Sequence, residues 1–251
     1  MGNKVIGTTS VKLGIYETST DSQLYGMLGD VKEMEGGRKF RLCHNSTAAA
    51  LTPGLLIQAK ADTDYSEDLI VATAGAVGGY TVGVTVTSGH EALSVNELKD
   101  GYFCSSGTSG EFGHGRKIKA NTAALTGAET TLTFYDALTD VITAATVGAW
   151  IFPIWKDVIT DVGTAKVIGA PVCDVAASTS TVPVFFWAQV AGACPLLTAG
   201  ALIRGDNVIA NGAGTTGTVI AFAGDAVAVV GSAMQSVTSS GDFGWVWLNL
   251  E

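Results

Sequence analysis

The chain has 251 residues, of which 47% are hydrophobic and 15% charged; 14 Lys and Arg stand against 23 Asp and Glu, a formal net charge of −9. That length can bury a sizeable core as one large all-β domain or two smaller ones, and so β-branched and charge-poor a composition excludes a disordered chain. The acidic balance, with no dense basic stripe, argues against nucleic acid or an anionic membrane as a partner.

In chain order, Met1 to Ile6 is followed by no apolar run, so no secretory signal is expected, and Ile6 stands where a myristoylation sequence needs Ser or Thr. Residues 1–23 are polar and rich in Thr and Ser, which suits an arm that orders on a neighbour. Deleting residues 1–20 should then leave folding intact. The stretch 21–35 is ambiguous, with Gly26 and Gly29 inside it, whereas Glu91 to Asp100 (EALSVNELKD) reads as a short helix carrying Leu93 and Leu98. Strand-like runs are Val82 to Thr87, Thr130 to Tyr135 and Val182 to Trp187, separated by Gly, Asn, Asp, Ser and Thr clusters. Val219 to Val230, interrupted by Gly224 and Asp225, is too short to span a bilayer. Cys43, Cys104, Cys173 and Cys194 show no CxxC spacing and are expected as free thiols in a protein made in a reducing cytoplasm.

The expected fold is all-β: antiparallel sandwich or barrel modules with an internal repeat and at most one or two short helices. The repeat rests on Leu51-Thr52-Pro53-Gly54-Leu55-Leu56-Ile57, which recurs as Leu197-Thr198-Ala199-Gly200-Ala201-Leu202-Ile203 with Phe40 and Phe186 in the same register. Each copy closes on a small Val-Gly turn into a strand, Val82-Gly83 and Val230-Gly231. A weaker echo runs from Ala123 to Gly127 and on to Ile168-Gly169-Ala170. The glycine of the Leu-Thr-x-Gly turn suits a position of positive φ. This pattern divides the chain into residues 1–37 (arm and first strand region), 38–120 (first β module), 121–180 (central β insertion) and 181–251 (second module, repeating the first).

No catalytic, cofactor-binding or metal-ligating set emerges. Gly212 to Gly217 spells GxGxxG, but a strand-like run follows it where a dinucleotide site needs a helix, so it reads as a hairpin loop. His44, His90 and His114 form no ligand spacing. The loop Ser105 to His114 gathers Ser, Glu and His without a nucleophile elbow. Asn45-Ser46-Thr47 is a formal glycosylation sequon that should stay unmodified. Asp62, Asp64, Glu67 and Asp68 read as a solvated acidic loop that departs from the calcium-loop pattern. Of the five tryptophans, Trp150, Trp155, Trp187, Trp245 and Trp247, the last two alternate and share one strand face. They suit core or interface packing, or a sugar-stacking platform.

Phe185-Phe186-Trp187-Ala188-Gln189-Val190-Ala191-Gly192-Ala193-Cys194-Pro195-Leu196-Leu197 resembles a segment of tailed-phage virion proteins, in which a Trp-x-Gln strand precedes a Gly and a small apolar run. Phe40 to Gly54, Gly231 to Met234 and Trp245 to Leu250 resemble the same group, while 121–177 does not match. The family so indicated is the capsid decoration (cement) and minor head proteins of tailed bacteriophages. The resemblance implies a non-enzymatic virion protein on the capsid exterior that needs no cofactor. It further implies binding to the major capsid protein and to neighbouring copies of the same chain, as a trimer. The alternatives are a tail- or fibre-associated β-sandwich protein, and a carbohydrate-binding or carbohydrate-active module.

Overall fold

The computed structural model describes residues 4–6, 13–21, 27–60, 69–86, 92–106, 113–212, 216–222 and 228–251. In chain order its strands begin with β1 (Lys4–Ile6), β2 (Val31–Glu33), β3 (Lys39–His44), β4 (Ile57–Gln58), β5 (Leu69–Thr73) and β6 (Thr81–Thr85). There follow β7 (Tyr102–Ser106), β8 (Arg116–Asn121), β9 (Glu129–Phe134), β10 (Val147–Ile151), β11 (Ile159–Thr160) and β12 (Val167–Pro171). The last are β13 (Phe185–Leu197), β14 (Asn207–Ala210), β15 (Val219–Ala221), β16 (Val229–Ala233) and β17 (Phe243–Asn249). All strand pairings are antiparallel, and the one helical piece among the described residues is a 3-10 turn, Glu35–Gly37. The fold is all-β, as its composition implies.

Contacts group the chain into two units: Met1–Ala61 with Ile154–Glu251, and Asp62–Pro153 between them. The division at 38, 121 and 181 follows sequence similarity, whereas the contacts divide at 62 and 154. Unit 1 holds an eleven-stranded sheet whose main path runs β1-β2-β3-β13-β17-β16-β14-β15, with β12, β4 and β11 branching from β13. The sheet folds over itself, so that Leu56 and Ala170 bury with Leu196, Val208, Val230, Val246 and Leu248. Antiparallel pairing of Gln58 with Ile159 closes unit 1 across the excursion to unit 2. Unit 2 is a closed six-stranded barrel, β10-β5-β6-β9-β8-β7. Its own core includes Trp150, Phe103, Phe134, Leu132 and Ile118.

A turn recurs through both units. In each instance the third of its four residues has positive φ, the pattern of a type II turn. These residues are Gly54, Gly78, Asn96, Gly127, Ala145 and Gly205, with φ between 60° and 95°. The next residue closes the turn, as when the Ala128 amide donates to the Leu125 carbonyl. The positive-φ residue sends its own amide to another segment, Gly127 to Val86 and Gly205 to Ala233. An isolated β-bridge precedes each turn, at Leu51, Gly75, Leu93, Ala124, Ile142 and Leu202. The Leu-Thr-x-Gly pattern marks only some of these turns. It accounts for Gly54 and Gly127, but the register expected for the second copy is displaced, because Gly205 rather than Gly200 holds the left-handed position.

Three further expectations change. Gly83, Gly231 and Gly169 lie inside strands, not at turns; a Cβ on Gly231 would meet the Trp247 carbonyl oxygen and one on Gly169 the Gln189 carbonyl oxygen. The described part of the Glu91 to Asp100 stretch forms consecutive turns rather than a helix. Asn96 and Asp100 adopt positive φ there, and buried Asn121 takes the Leu98 amide on Oδ1 while its Nδ2 donates to the Ser94 carbonyl. Tertiary hydrogen bonds thus replace the helical ones. Finally, residues 13–21 of the expected arm pack on unit 1. Leu13 and Ile15 bury against Phe40, Leu42 and Trp187, and the Leu13 carbonyl accepts from both Lys32 Nζ (2.7 Å) and Trp187 Nε1 (3.1 Å). Deleting residues 1–20 would therefore remove core.

Candidate interaction surface

β17 alternates strictly. Gly244, Val246 and Leu248 point inward, while Phe243, Trp245 and Trp247 point outward and are 56%, 47% and 43% exposed. The strand is not an edge: it sits between β13 and β16, so its backbone is paired and its aromatic face lies on a sheet surface. Opposite Trp245 and Trp247 on β13 stand Pro195 and Ala193, and Ser232 on β16 also faces Trp247. These neighbours are too small to cover the rings. Gly54 seats the Phe243 ring, since a Cβ there would lie 2.5 Å from Cε1. About 100 Å² of each aromatic side chain stays in water. Covering that area would contribute about 2 kcal/mol per ring.

Beside this face, β13 bends at a bulge between Gln189 and Ala191 and at Gly192, whose φ is 85°. Gln189 is fully buried and satisfied: Nε2 donates to the Ala191 (3.1 Å) and Ala193 (2.9 Å) carbonyls, and Oε1 accepts from Arg38 Nε (3.2 Å) and Nη2 (3.0 Å). The bulge thereby fixes the Arg38 guanidinium, which also stacks 5.0 Å from the Phe40 ring centroid. Cys194, at the same bend, is shielded enough that burial pushes its thiol up to about 12.

The other tryptophans lie elsewhere. Trp150 and Trp187 are buried, and Trp155 is half-buried with Arg41 over its ring at 5.6 Å. All four cysteines are free thiols. Asn45 of the sequon is fully buried and donates to the Ala49 and Ala176 carbonyls. Gly212 and Gly217 of the GxGxxG lie in the β14–β15 connection and pack on Gly163 and Thr160 respectively, a hairpin with no helix after it. His114 is exposed. His90, the acidic residues Asp62, Asp64, Glu67 and Asp68, and residues 107–112 of the Ser/Gly loop fall outside the described residues.

One juxtaposition has no local sequence signal. His44 Nδ1 lies 3.0 Å from Asp157 Oδ1, and His44 Nε2 lies 3.3 Å from Ser178 Oγ. A nucleophile, a base and its orienting carboxylate have this layout. The hydroxyl is already committed, however: Oγ donates to the Asn45 carbonyl at 2.6 Å, accepts from the Val184 amide at 3.0 Å, and Ser178 is 4% exposed. Its only remaining role toward His44 is as acceptor, the reverse of base activation. The trio joins three segments of unit 1. Burial raises the Asp157 carboxyl, but the hydrogen bond from His44 and the positive charges of Lys156 and Lys60 outweigh it and hold the group below the usual carboxylate range.

No group of three His, Cys, Asp or Glu among the described residues is placed to hold a metal ion. No protein-family model, no curated protein and no solved structure matches this chain.

Proposed function

We propose that this chain is a structural protein of a tailed-phage virion that decorates the outer surface of the head, bound to the major capsid protein and to neighbouring copies of itself in a trimer. The observation that carries the reading is the uncovered aromatic face of β17 on a chain of net charge −9. Exposed apolar patches of this kind mark interfaces, and the acidic balance keeps such a surface from the packaged genome. The likeness of Phe185 to Leu197 and Phe40 to Gly54 to head-protein segments gives the partner. Decoration works by linkage: contacts that exist only on the expanded shell stabilise that shell, and avidity across copies strengthens weak single contacts.

Light scattering coupled to size exclusion, followed by mixing with empty expanded phage heads, tests this. Saturable co-migration with heads, lost in a Trp245→Ser/Trp247→Ser variant, is the expected outcome. The same three rings, two residues apart on one strand, also suit stacking on a sugar chain. Glycan-dependent quenching of tryptophan fluorescence without head binding would replace decoration with that reading.

A further inference from the structure

A pocket of about 270 Å³ opens beside the aromatic face, lined among others by Tyr16, Arg38, Pro53, Pro171, Pro195 and Trp245. It falls just below the range of sites for drug-sized ligands, and its size suits one large side chain. Three of its lining residues, Pro53, Pro171 and Pro195, are prolines, whose rings have little conformational freedom. The only charged group in its lining is Arg38.

A guanidinium carries five N–H groups. Nε and one N–H of Nη2 go to Gln189 Oε1, and one N–H of Nη1 goes to the Tyr16 hydroxyl at 3.4 Å. One further N–H on each of Nη1 and Nη2 is left for an incoming acceptor. No carboxylate among the described residues pairs with Arg38, whereas Arg41 is matched to Glu251 and Lys39 to Glu33. Arg38 is thus a positive group held by a buried glutamine beside exposed rings, with no carboxylate partner among the described residues.

We propose that this pocket receives one aromatic or long aliphatic side chain of an acidic polypeptide segment, whose adjoining Asp or Glu carboxylate pairs with Arg38. The apolar side chain fills the space between Trp245, Pro195 and Pro53, and the carboxylate supplies the missing negative charge. This rests on the reading of the β17 face as a protein-interaction surface and specifies what that partner presents there.

The test uses the full chain and three capped peptides: Gly-Glu-Phe-Glu-Gly, its Gln-Phe-Gln counterpart and its Glu-Ala-Glu counterpart. Binding is followed by the NMR shift of the Trp245 indole N–H, assigned with Trp245→Phe. The Glu-Phe-Glu peptide should shift that signal saturably, the Gln form should bind about fivefold more weakly, and the Ala form should not shift it. Arg38→Met, which keeps the stem over Phe40, should bring the Glu and Gln peptides to equal affinity. The salt dependence of the unaltered chain provides the same answer without a variant, because only the Glu-Phe-Glu affinity should fall between low and physiological salt. Equal affinity of the Glu and Gln peptides for the unaltered chain overturns the proposal, as does an unchanged Trp245 signal. Head binding without peptide binding removes the pocket assignment alone; peptide binding without head binding removes decoration and leaves the pocket standing.

Discussion

Ala145 holds a φ of 65° in the same turn position that Gly127 holds at 81°. An L-residue with a Cβ costs about 1–2 kcal/mol there relative to glycine. Nothing lies within 4 Å of a Cβ built on Gly127, so backbone strain alone decides that site. Ala145→Gly should therefore raise stability by about 1 kcal/mol and Gly127→Ala lower it by about 1 kcal/mol, read as opposite shifts in the urea midpoint. Asp157 allows a pH prediction. Its folded-state pKa lies below the unfolded one, so its contribution is complete above the unfolded value and is lost as pH falls through the folded one. Asp157→Asn should lower the melting temperature at neutral pH and abolish part of the acid-side decline; parallel acid profiles for variant and parent would contradict the assigned pair.

Among the elements, the segment before β2 shows why composition misled. Thr and Ser make residues 13–21 look like a solvated arm, yet Leu13 and Ile15 are each 6% exposed. Large-to-small changes at such sites cost about 2–5 kcal/mol each. Removal of residues 1–20 should accordingly lower the unfolding midpoint sharply or prevent folding, measured by circular dichroism and chemical denaturation. A truncated chain of unchanged stability would show that the Leu13 clamp contributes nothing. At Glu91 to Asp100, local propensity was overridden for a different reason: Asn121, on β8, satisfies the backbone groups that a helix would have satisfied internally.

For the whole molecule, unit 2 closes its strands into a barrel and buries Trp150 in a core drawn from its own residues. A closed barrel leaves no sheet edge to pair elsewhere. Residues 62–153 expressed alone should fold cooperatively, with Trp150 emission shifted to the blue and moved to the red by urea. Non-cooperative unfolding of that fragment would mean that the barrel depends on the rest of the chain.

The sequence by itself determined the all-β class, because β-branched runs between turn clusters allow little else, and it placed glycines where Gly54 and Gly127 take positive φ. It also put Trp245 and Trp247 on one strand face, since side chains on a strand alternate with period two. Periodicity names two faces without saying which is inside. Only the tertiary structure decided that, by setting β17 between β13 and β16 with Val246 and Leu248 inward and the rings in water. Likewise, His44, Asp157 and Ser178 meet through segments far apart in the chain, and Arg38 is fixed by Gln189 across a bulge. Such meetings depend on strand order and register, which short-range patterns do not encode.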